Sequence, residues 1–361
     1  MKILFLAGCI NQIGGIERVT LDLAHILKKD DNEVFIISYS KGKQEKEFDL
    51  LSEFDICYLN EKPVSIRYAF LKCKLLRQQL RIIQPDVVIY VDSLLYLFFR
   101  PFVFKKYKQI VWEHFNYTVT FGTRLRTLSR RLAARFADAC VLLTKADAEI
   151  WKKNCCCRSK MIDIPNPVRS DILNSSEKLL PLSKRKKQIL CVGRLEYQKN
   201  IPELIDIWAE IEHDFPDWTL KIVGEGSERN LIENKIKNYG LKNVELTGRI
   251  SDVSPFYAES QILVMTSRFE GLPLVLIEGL FFALPEISYN CPMGPDEIIE
   301  DKKNGYIIEY GNRQSFIINL RNLLESENLR EKLGKNAICI SAKYIPQTVL
   351  KSWIYLFKEI L

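Results

Sequence analysis

Glu270 and Glu278 flank the apolar run Gly271-Leu272-Pro273-Leu274-Val275-Leu276-Ile277. Pro273 suits the first turn of a helix, so Glu270 is expected in a loop and Glu278 on the helix, about 1.5 turns further in. An acid among Leu274, Val275, Leu276, Ile277, Leu280 and Phe281 is costly unless paired, which favours a ligand-binding role over a structural one. A second run, Gly193-Arg194-Leu195-Glu196-Tyr197-Gln198-Lys199-Asn200, places two cations in a loop before a helix. Asn200 can cap that helix and Pro202 fits its first turn. Such a loop suits a diphosphate; two solvated loop charges are the alternative. Gly14-Gly15-Ile16-Glu17-Arg18 is either an anion site at a helix N-terminus or a structural turn, and it is not the G-x-G-x-x-G fingerprint. Of the three histidines, His25 and His213 fall in or at the end of helices and read as structural. His114, in Glu113-His114-Phe115-Asn116 past a strand end, is the one candidate for site chemistry.

Strands and helices in alternation must position these groups. Lys2–Ala7 reads as a strand, 8–15 as a loop, Ile16–Lys29 as a helix and Glu33–Ser38 as a strand, a βαβ start. Strands follow at 86–91, 109–112 and 139–143. The segment Ile164-Pro165-Asn166-Pro167-Val168 is rigid punctuation, and the polar stretch 169–187 reads as a crossing between domains. Alternation then restarts: strand 188–193, helix 201–212, strand 219–223, helix 227–239, strands 243–247 and 262–265, helix 273–283. The expectation is two α/β domains, 1–170 and 171–340, with ligands at strand carboxyl ends in the crevice between them. The last helix, 341–361, carries Val349, Trp353, Leu356, Phe357 and Ile360 on one face.

The chain has 361 residues, 47% hydrophobic and 27% charged, the balance of a folded globular protein rather than a disordered or collagen-like one. No apolar run approaches the roughly 20 residues of a membrane span. Ten cysteines include the run Cys155-Cys156-Cys157 but no Cys-x-x-Cys pair. They are expected to be reduced thiols in the cytoplasm.

The net charge of +7 sits in the first half: residues 1–170 carry 28 basic and 18 acidic side chains, whereas 171–361 carry 24 and 27. Over 61–160 the balance is 20 basic to 7 acidic, which points to an anionic partner. Residues 66–83 read as a helix with Ile66, Ala69, Phe70, Cys73, Leu76, Leu80 and Ile83 on one face. In 124–136, Leu125, Leu128, Leu132 and Phe136 form a stripe with Arg124, Arg126, Arg130, Arg131 and Arg135 around it. These are either surface helices with the apolar side inward and arginine outward, or a patch that lies on an anionic membrane. No nucleic-acid motif accompanies the charge.

The ordered series of motifs resembles the family-4 glycosyltransferases of GT-B architecture. It comprises Gly193-Arg194-x4-Lys199, Val223-Gly224-Glu225-Gly226, Thr247-Gly248-Arg249, Glu270-Gly271-Leu272-Pro273-x4-Glu278, Cys291 to Ile299, and Asn304-Gly305. The resemblance spans essentially the whole chain and is strongest from Ile189 to Gly311. Glu113-His114-x-Asn116 and Gly14-Gly15-x-Glu17-Arg18 resemble members that build lipid-linked surface, lipopolysaccharide or capsular glycans.

The resemblance implies two Rossmann-like domains facing across a cleft, with the last helix returning to the first domain. It implies a nucleotide-diphosphate sugar donor, UDP-linked in type, bound by the second domain. A glycan or polyprenyl-diphosphate-linked acceptor would sit on the first domain, and the anomeric configuration would be retained. Gly15, Arg194, Lys199, Gly271 and Leu272 then match the donor diphosphate site, Glu278 the ribose site, and Gly224, Gly248 and Arg249 the nucleobase region. Glu270 and His114 match the groups beside the transferring sugar. The chain has no Asp-x-Asp triplet. Cations, loop amides and helix N-termini are therefore expected to stabilise the leaving diphosphate with no metal and no other cofactor. The enzyme is expected to work peripherally on the inner face of the cytoplasmic membrane. A non-catalytic sugar-nucleotide binder of the same fold would be expected to lack Glu270, Lys199 or His114. One departure stands out: Glu286 replaces a branched apolar residue at the start of a strand. It is expected to be solvated or paired.

Overall fold

A computed structural model describes all of the chain except residues 13, 42–48, 61–72, 121 and 178. The chain forms two compact units, Met1–Pro167 with Ile345–Leu361, and Val168–Tyr344.

The first unit is built on a seven-stranded parallel sheet: β1 Lys2–Ala7, β2 Glu33–Ser38, β3 Ile56–Tyr58, β4 Val87–Tyr90, β5 Lys108–Trp112, β6 Ala139–Leu142 and β7 Lys160–Asp163. The spatial order is β3-β2-β1-β4-β5-β6-β7. Continuous apolar runs such as Ile3-Leu4-Phe5-Leu6 and Val87-Val88-Ile89-Tyr90 are fully buried, as strands covered by helices on both faces must be. The second unit repeats the plan with six parallel strands: β8 Gln188–Val192, β9 Thr219–Val223, β10 Val244–Leu246, β11 Ile262–Met265, β12 Glu286–Asn290 and β13 Gly305–Glu309. Their order is β10-β9-β8-β11-β12-β13. Both are Rossmann-like, and each reverses its winding beside its first strand, at β1/β4 and at β8/β11. Loops that leave those strand ends diverge and leave room for a ligand.

The final helix, Pro346–Ile360, packs in the first unit against the helix Gly15–Lys29. Trp353 meets Trp112 edge-on at 5.4 Å between ring centroids.

Several elements differ from the sequence reading. The crossing stretch carries a short helix, Ser170–Ser175, whose buried Ile172 ties it into the second unit. The helix read from 201 to 212 stops at Ala209. Of the helix read over 66–83, Cys73–Ile83 is present, and Ile66, Ala69 and Phe70 lie outside the described residues. Short or half-exposed pieces such as β3 and β7 carry too few residues for a period to show. No helix among the described residues is long and apolar enough to cross a membrane.

Candidate functional site

In the second unit, two loops at the β8/β11 switch point interlock. Gly224 follows β9 and lies so close to the first loop that a Cβ there would fall 1.8 Å from the Gly193 carbonyl oxygen, so only glycine fits. Gly224 also bridges to Gly248, which brings the 223–226 and 247–249 turns together, with Arg249 exposed beside them. Arg268 fastens the 194–200 loop from the other side. Its backbone amide donates to the Gln198 carbonyl at 2.7 Å, and its guanidinium donates to the Tyr197 carbonyl at 3.0 Å and to Asn200 Oδ1 at 2.6 Å. The same guanidinium lies over the Tyr197 ring at 4.3 Å. Thr266 Oγ1 donates to the Lys199 and Asn200 carbonyls at 3.2 and 3.1 Å.

Asn200 therefore sits at the helix start, but its side chain is engaged by Arg268 and makes no cap. It holds a left-handed φ of 53°, a conformation that asparagine tolerates better than most residues. Pro202 occupies the first turn as the sequence suggested.

This rigid pair of loops brings Lys199 and Glu270 together, Nζ to Oε1 at 2.6 Å. Both are largely buried, with side-chain exposures of 16% and 8%. Gln198 ties the arrangement: its Nε2 donates to the Phe269 carbonyl at 3.0 Å and to Glu270 Oε2 at 3.4 Å, while its Oε1 accepts from Arg194 at 3.4 Å. Arg194 is exposed. The cluster can thus offer one largely buried ammonium, one exposed guanidinium and a carboxylate acceptor. Gly271 and Leu272 continue from Glu270 toward Gly294, whose φ is 105° and where a Cβ would fall 2.4 Å from the Gly271 carbonyl oxygen, so no side chain fits. Ser267 Oγ is buried nearby in the chain and has no hydrogen-bond partner among the described residues.

Glu278 is on the helix Leu274–Phe281, buried, and it is paired. Its Oε1 accepts from Arg169 at 3.3 Å and its Oε2 from the Tyr257 hydroxyl at 2.8 Å. Burial, and then the Glu278 charge, push the Tyr257 hydroxyl well above its ordinary pKa. Sequence reasoning named neither partner. The only available signal was the cost of burying an acid, which demands a cation somewhere.

Glu286 departs from both expectations. It is fully buried in β12, and neither carboxyl oxygen has a hydrogen-bond partner among the described residues. Burial pushes its carboxyl well above the usual range. A neutral acid is the form such a setting tolerates.

In the first unit, Gly15 opens the helix Gly15–Lys29 at the end of β1. A cavity of about 200 Å³ lies there at the β1/β4 switch point, lined by Gly8, Cys9, Ile16, Glu17, Asp92 and Leu95 among others. Burial raises the pKa of Glu17. Asp92 is raised to about 6, by burial first and by Glu113 second, against the pull of Arg126.

His114 follows β5 and is buried. Its ring lies 4.4 Å from Trp112, and Nε2 has no hydrogen-bond partner among the described residues. Burial pulls the imidazole down to about 3, so at neutral pH it is uncharged. It can donate or accept one hydrogen bond to a ligand, but it is not a cation.

The loop that carries His114 is held by arginines that sequence analysis placed on the outside. Arg126 and Arg130 are 5% and 0% exposed. Arg126 donates to Asp92 Oδ2 at 3.0 Å and to Glu113 Oε1 at 3.2 Å. Arg130 approaches Glu113 Oε2 at 3.5 Å and donates to the carbonyls of Tyr117, Phe115 and Val119. The helix Arg124–Phe136 is therefore turned about its axis relative to the expectation. Buried Glu113 and three loop carbonyls need donors, and Arg126 and Arg130 are the residues that can reach them. Asp147, raised to about 7 by burial, accepts from the Tyr117 amide at 2.7 Å and completes the support.

Residues 13–171 match the family described as Glycosyltransferase Family 4, and residues 175–338 match Glycosyl transferases group 1. The amylovoran biosynthesis glycosyltransferase AmsD of Erwinia amylovora is 30% identical over 364 residues, covering 98% of each chain. An alpha-1,4-N-acetyl-D-galactosaminyltransferase of Campylobacter jejuni, named for a PP-undecaprenol-linked saccharide, is 28% identical and covers 100% of this chain and 99% of its own. Among solved structures, Anabaena HepE in complex with UDP has the same fold, with a TM-score of 0.82 at 18% identity over 99% of this chain and 100% of that one. The chain belongs to the family-4 glycosyltransferases, and its two parallel-sheet domains are of the GT-B type.

Proposed function

We propose that this glycosyltransferase moves a hexose or N-acetylhexosamine from a UDP-sugar to a lipid-linked or growing surface glycan, with retention of configuration and without a metal. The observation that carries this reading is the Lys199–Glu270 contact at 2.6 Å, with Arg194 linked to it through Gln198. A diphosphate that enters beside these groups meets two cations, and the buried ammonium can turn from the carboxylate to the phosphate. Charge-assisted contacts in a desolvated site are the strong ones. Glu270 is then left to accept from sugar hydroxyls, and Glu278 to hold the ribose.

In the reaction, the bond between the sugar C1 and the phosphate oxygen breaks, and the electron pair leaves with the diphosphate. Arg194, Lys199 and nearby loop amides stabilise that charge while the sugar becomes oxocarbenium-like. The acceptor hydroxyl attacks C1 from the same face and gives its proton to the departing phosphate oxygen. Neutral His114 serves as a hydrogen-bonding group for the sugar rather than as a cation or a strong base. The AmsD and Campylobacter relatives support a polysaccharide or polyprenyl-linked acceptor. Free cysteines fit a reducing, cytoplasmic setting.

A donor screen tests the proposal. UDP-sugars are titrated calorimetrically, and UDP release is followed with polyprenyl-diphosphate-linked acceptors. The expected result is one preferred UDP-sugar and a product whose anomeric proton coupling matches that of the donor. UDP binding without release on any such acceptor, or an inverted product, would overturn it.

A further inference from the structure

We infer that Asp92 is a positioning residue for the reaction: a strained backbone aims its carboxylate at Arg126, and through Arg126 and Glu113 it sets the loop that carries His114. This role rests on the reading of His114 as a group beside the transferring sugar.

Asp92 follows β4 and starts the helix Ser93–Phe99 with φ 131° and ψ 141°. The other non-glycine residues with positive φ among those described lie between 49° and 62°, in the left-handed well that L-residues can enter. Asp92 lies beyond that well, where essentially only glycine is unstrained. Helix capping does not require this. Asp92 Oδ1 accepts from the Leu94 amide at 2.7 Å, but Thr144, Asn312 and Ser326 cap their helices from φ of −134°, −80° and −110°. Backbone strain persists where the surroundings over-determine it, and it gathers at functional sites.

The strained conformation gives Asp92 a two-point grip on Arg126. Nη1 donates to Oδ1 at 3.3 Å and Nη2 to Oδ2 at 3.0 Å. Two such bonds fix the plane of a guanidinium as well as its position. The same Nη1 donates to Glu113 Oε1 at 3.2 Å, and that oxygen accepts from the Phe115 amide at 3.3 Å. The side chain of one neighbour of His114 thus closes onto the backbone of the other. The Arg126 guanidinium also lies 4.8 Å from the Phe115 ring centroid. Arg126 therefore touches both neighbours of His114, and Asp92 orients Arg126. On its other side Asp92 lines the β1/β4 cavity, where Glu17 is the second carboxylate and no lining residue is a cation. Burial first, and Glu113 second, disfavour the Asp92 charge, and Arg126 and the Leu94 amide oppose them. Arg126 and Arg130 balance Asp92 and Glu113. Without the Asp92 charge, Arg126 is left to Glu113 alone and the loop follows it.

Full-length protein with 13C-labelled histidine rings tests the coupling. Its three histidines give three ring signals, and His114→Asn shows which belongs to residue 114. The His114 ring lies 4.4 Å from that of Trp112, so the indole makes its signal sensitive to small movements. Asp92→Asn keeps the size and the cap acceptor but not the charge. In this variant the His114 signal should shift while those of His25 and His213 stay in place. With it kcat should fall about ten- to a hundredfold, the cost of an ångström-scale misplacement, while calorimetric UDP affinity is unchanged. Asp92→Gly takes the same φ without strain and should do likewise, which covers a failure of the first variant to fold. An unmoved His114 signal in both variants overturns the inference, even where kcat falls, since a lower melting temperature would then account for the loss. A shifted signal with wild-type kcat overturns the role of Asp92 in the reaction. In that case an impaired His114→Asn places the error in the positioning step, and a fully active His114→Asn places it in the reading of His114.

Discussion

Glu286→Met should remove a pH dependence that the wild-type fold carries. No part of Glu286 reaches solvent, and both carboxyl oxygens lack hydrogen-bond partners among the described residues. Gly279 approaches so closely that a Cβ there would sit 2.6 Å from Glu286 Oε1, so no space is left for a bridging water on that side. Burial therefore raises the folded-state pKa well above the ordinary 4.5. Below about pH 4.3 the group is protonated in both folded and unfolded chains and titration contributes nothing. Above that pH the unfolded chain releases the proton while the folded chain keeps it. Stability then falls by about 1.36 kcal/mol for each pH unit until the raised pKa is reached. Each pH unit inside that window corresponds to roughly 3–5 °C in Tm for a domain of 150–250 residues. Methionine keeps the approximate volume and removes the titrating group. Thermal melts of both proteins at pH 5, 6 and 7, followed by circular dichroism, give the relevant quantity, the Tm of the variant minus that of the wild type. This difference should widen steadily as pH rises. A difference that stays flat across the range would refute the neutral buried acid, because a solvated or ion-paired Glu286 behaves that way.

Lys199→Ala should lower UDP affinity by a factor of about ten to a hundred, the worth of one charge-assisted contact, as read by calorimetry. It should also lower Tm, because it removes the ammonium 2.6 Å from a largely buried carboxylate, whereas Arg194→Ala, at an exposed side chain, should lower affinity alone. Glu270→Gln should reduce kcat more than it raises donor KM, and Glu278→Gln should mainly raise donor KM; the opposite split in steady-state kinetics would exchange their roles. Because His114 titrates near 3, kcat/KM should show no inflection from this residue between pH 5 and 8, and His114→Asn should leave the shape of that profile unchanged while lowering its height. Activity should persist in excess EDTA; loss that Mg2+ or Mn2+ restores would show that a metal assists the leaving diphosphate.

Much of the architecture is legible in the residue pattern. Lys2–Ala7, Glu33–Ser38, 219–223 and 262–265 are strands with the expected bounds, because short apolar runs between turn residues have few other ways to bury themselves. The chemistry-bearing motifs also lie where alternation places them, at the carboxyl ends of β5, β8 and β11. Periodicity, however, states which residues share a helix face and not which face turns inward. In the helix Arg124–Phe136 the leucine stripe was visible, but its direction was set by Glu113 and by the carbonyls of Phe115, Tyr117 and Val119. The same limit applies to every buried charge. Lys199 meets Glu270 across 71 residues of chain and Arg169 meets Glu278 across 109, whereas Glu286 meets no partner at all among the described residues. A sequence records that a buried acid must be paired or neutralised. Only the folded chain decides which of the two occurs, since the choice depends on distances of a few ångströms between residues that are remote along the chain.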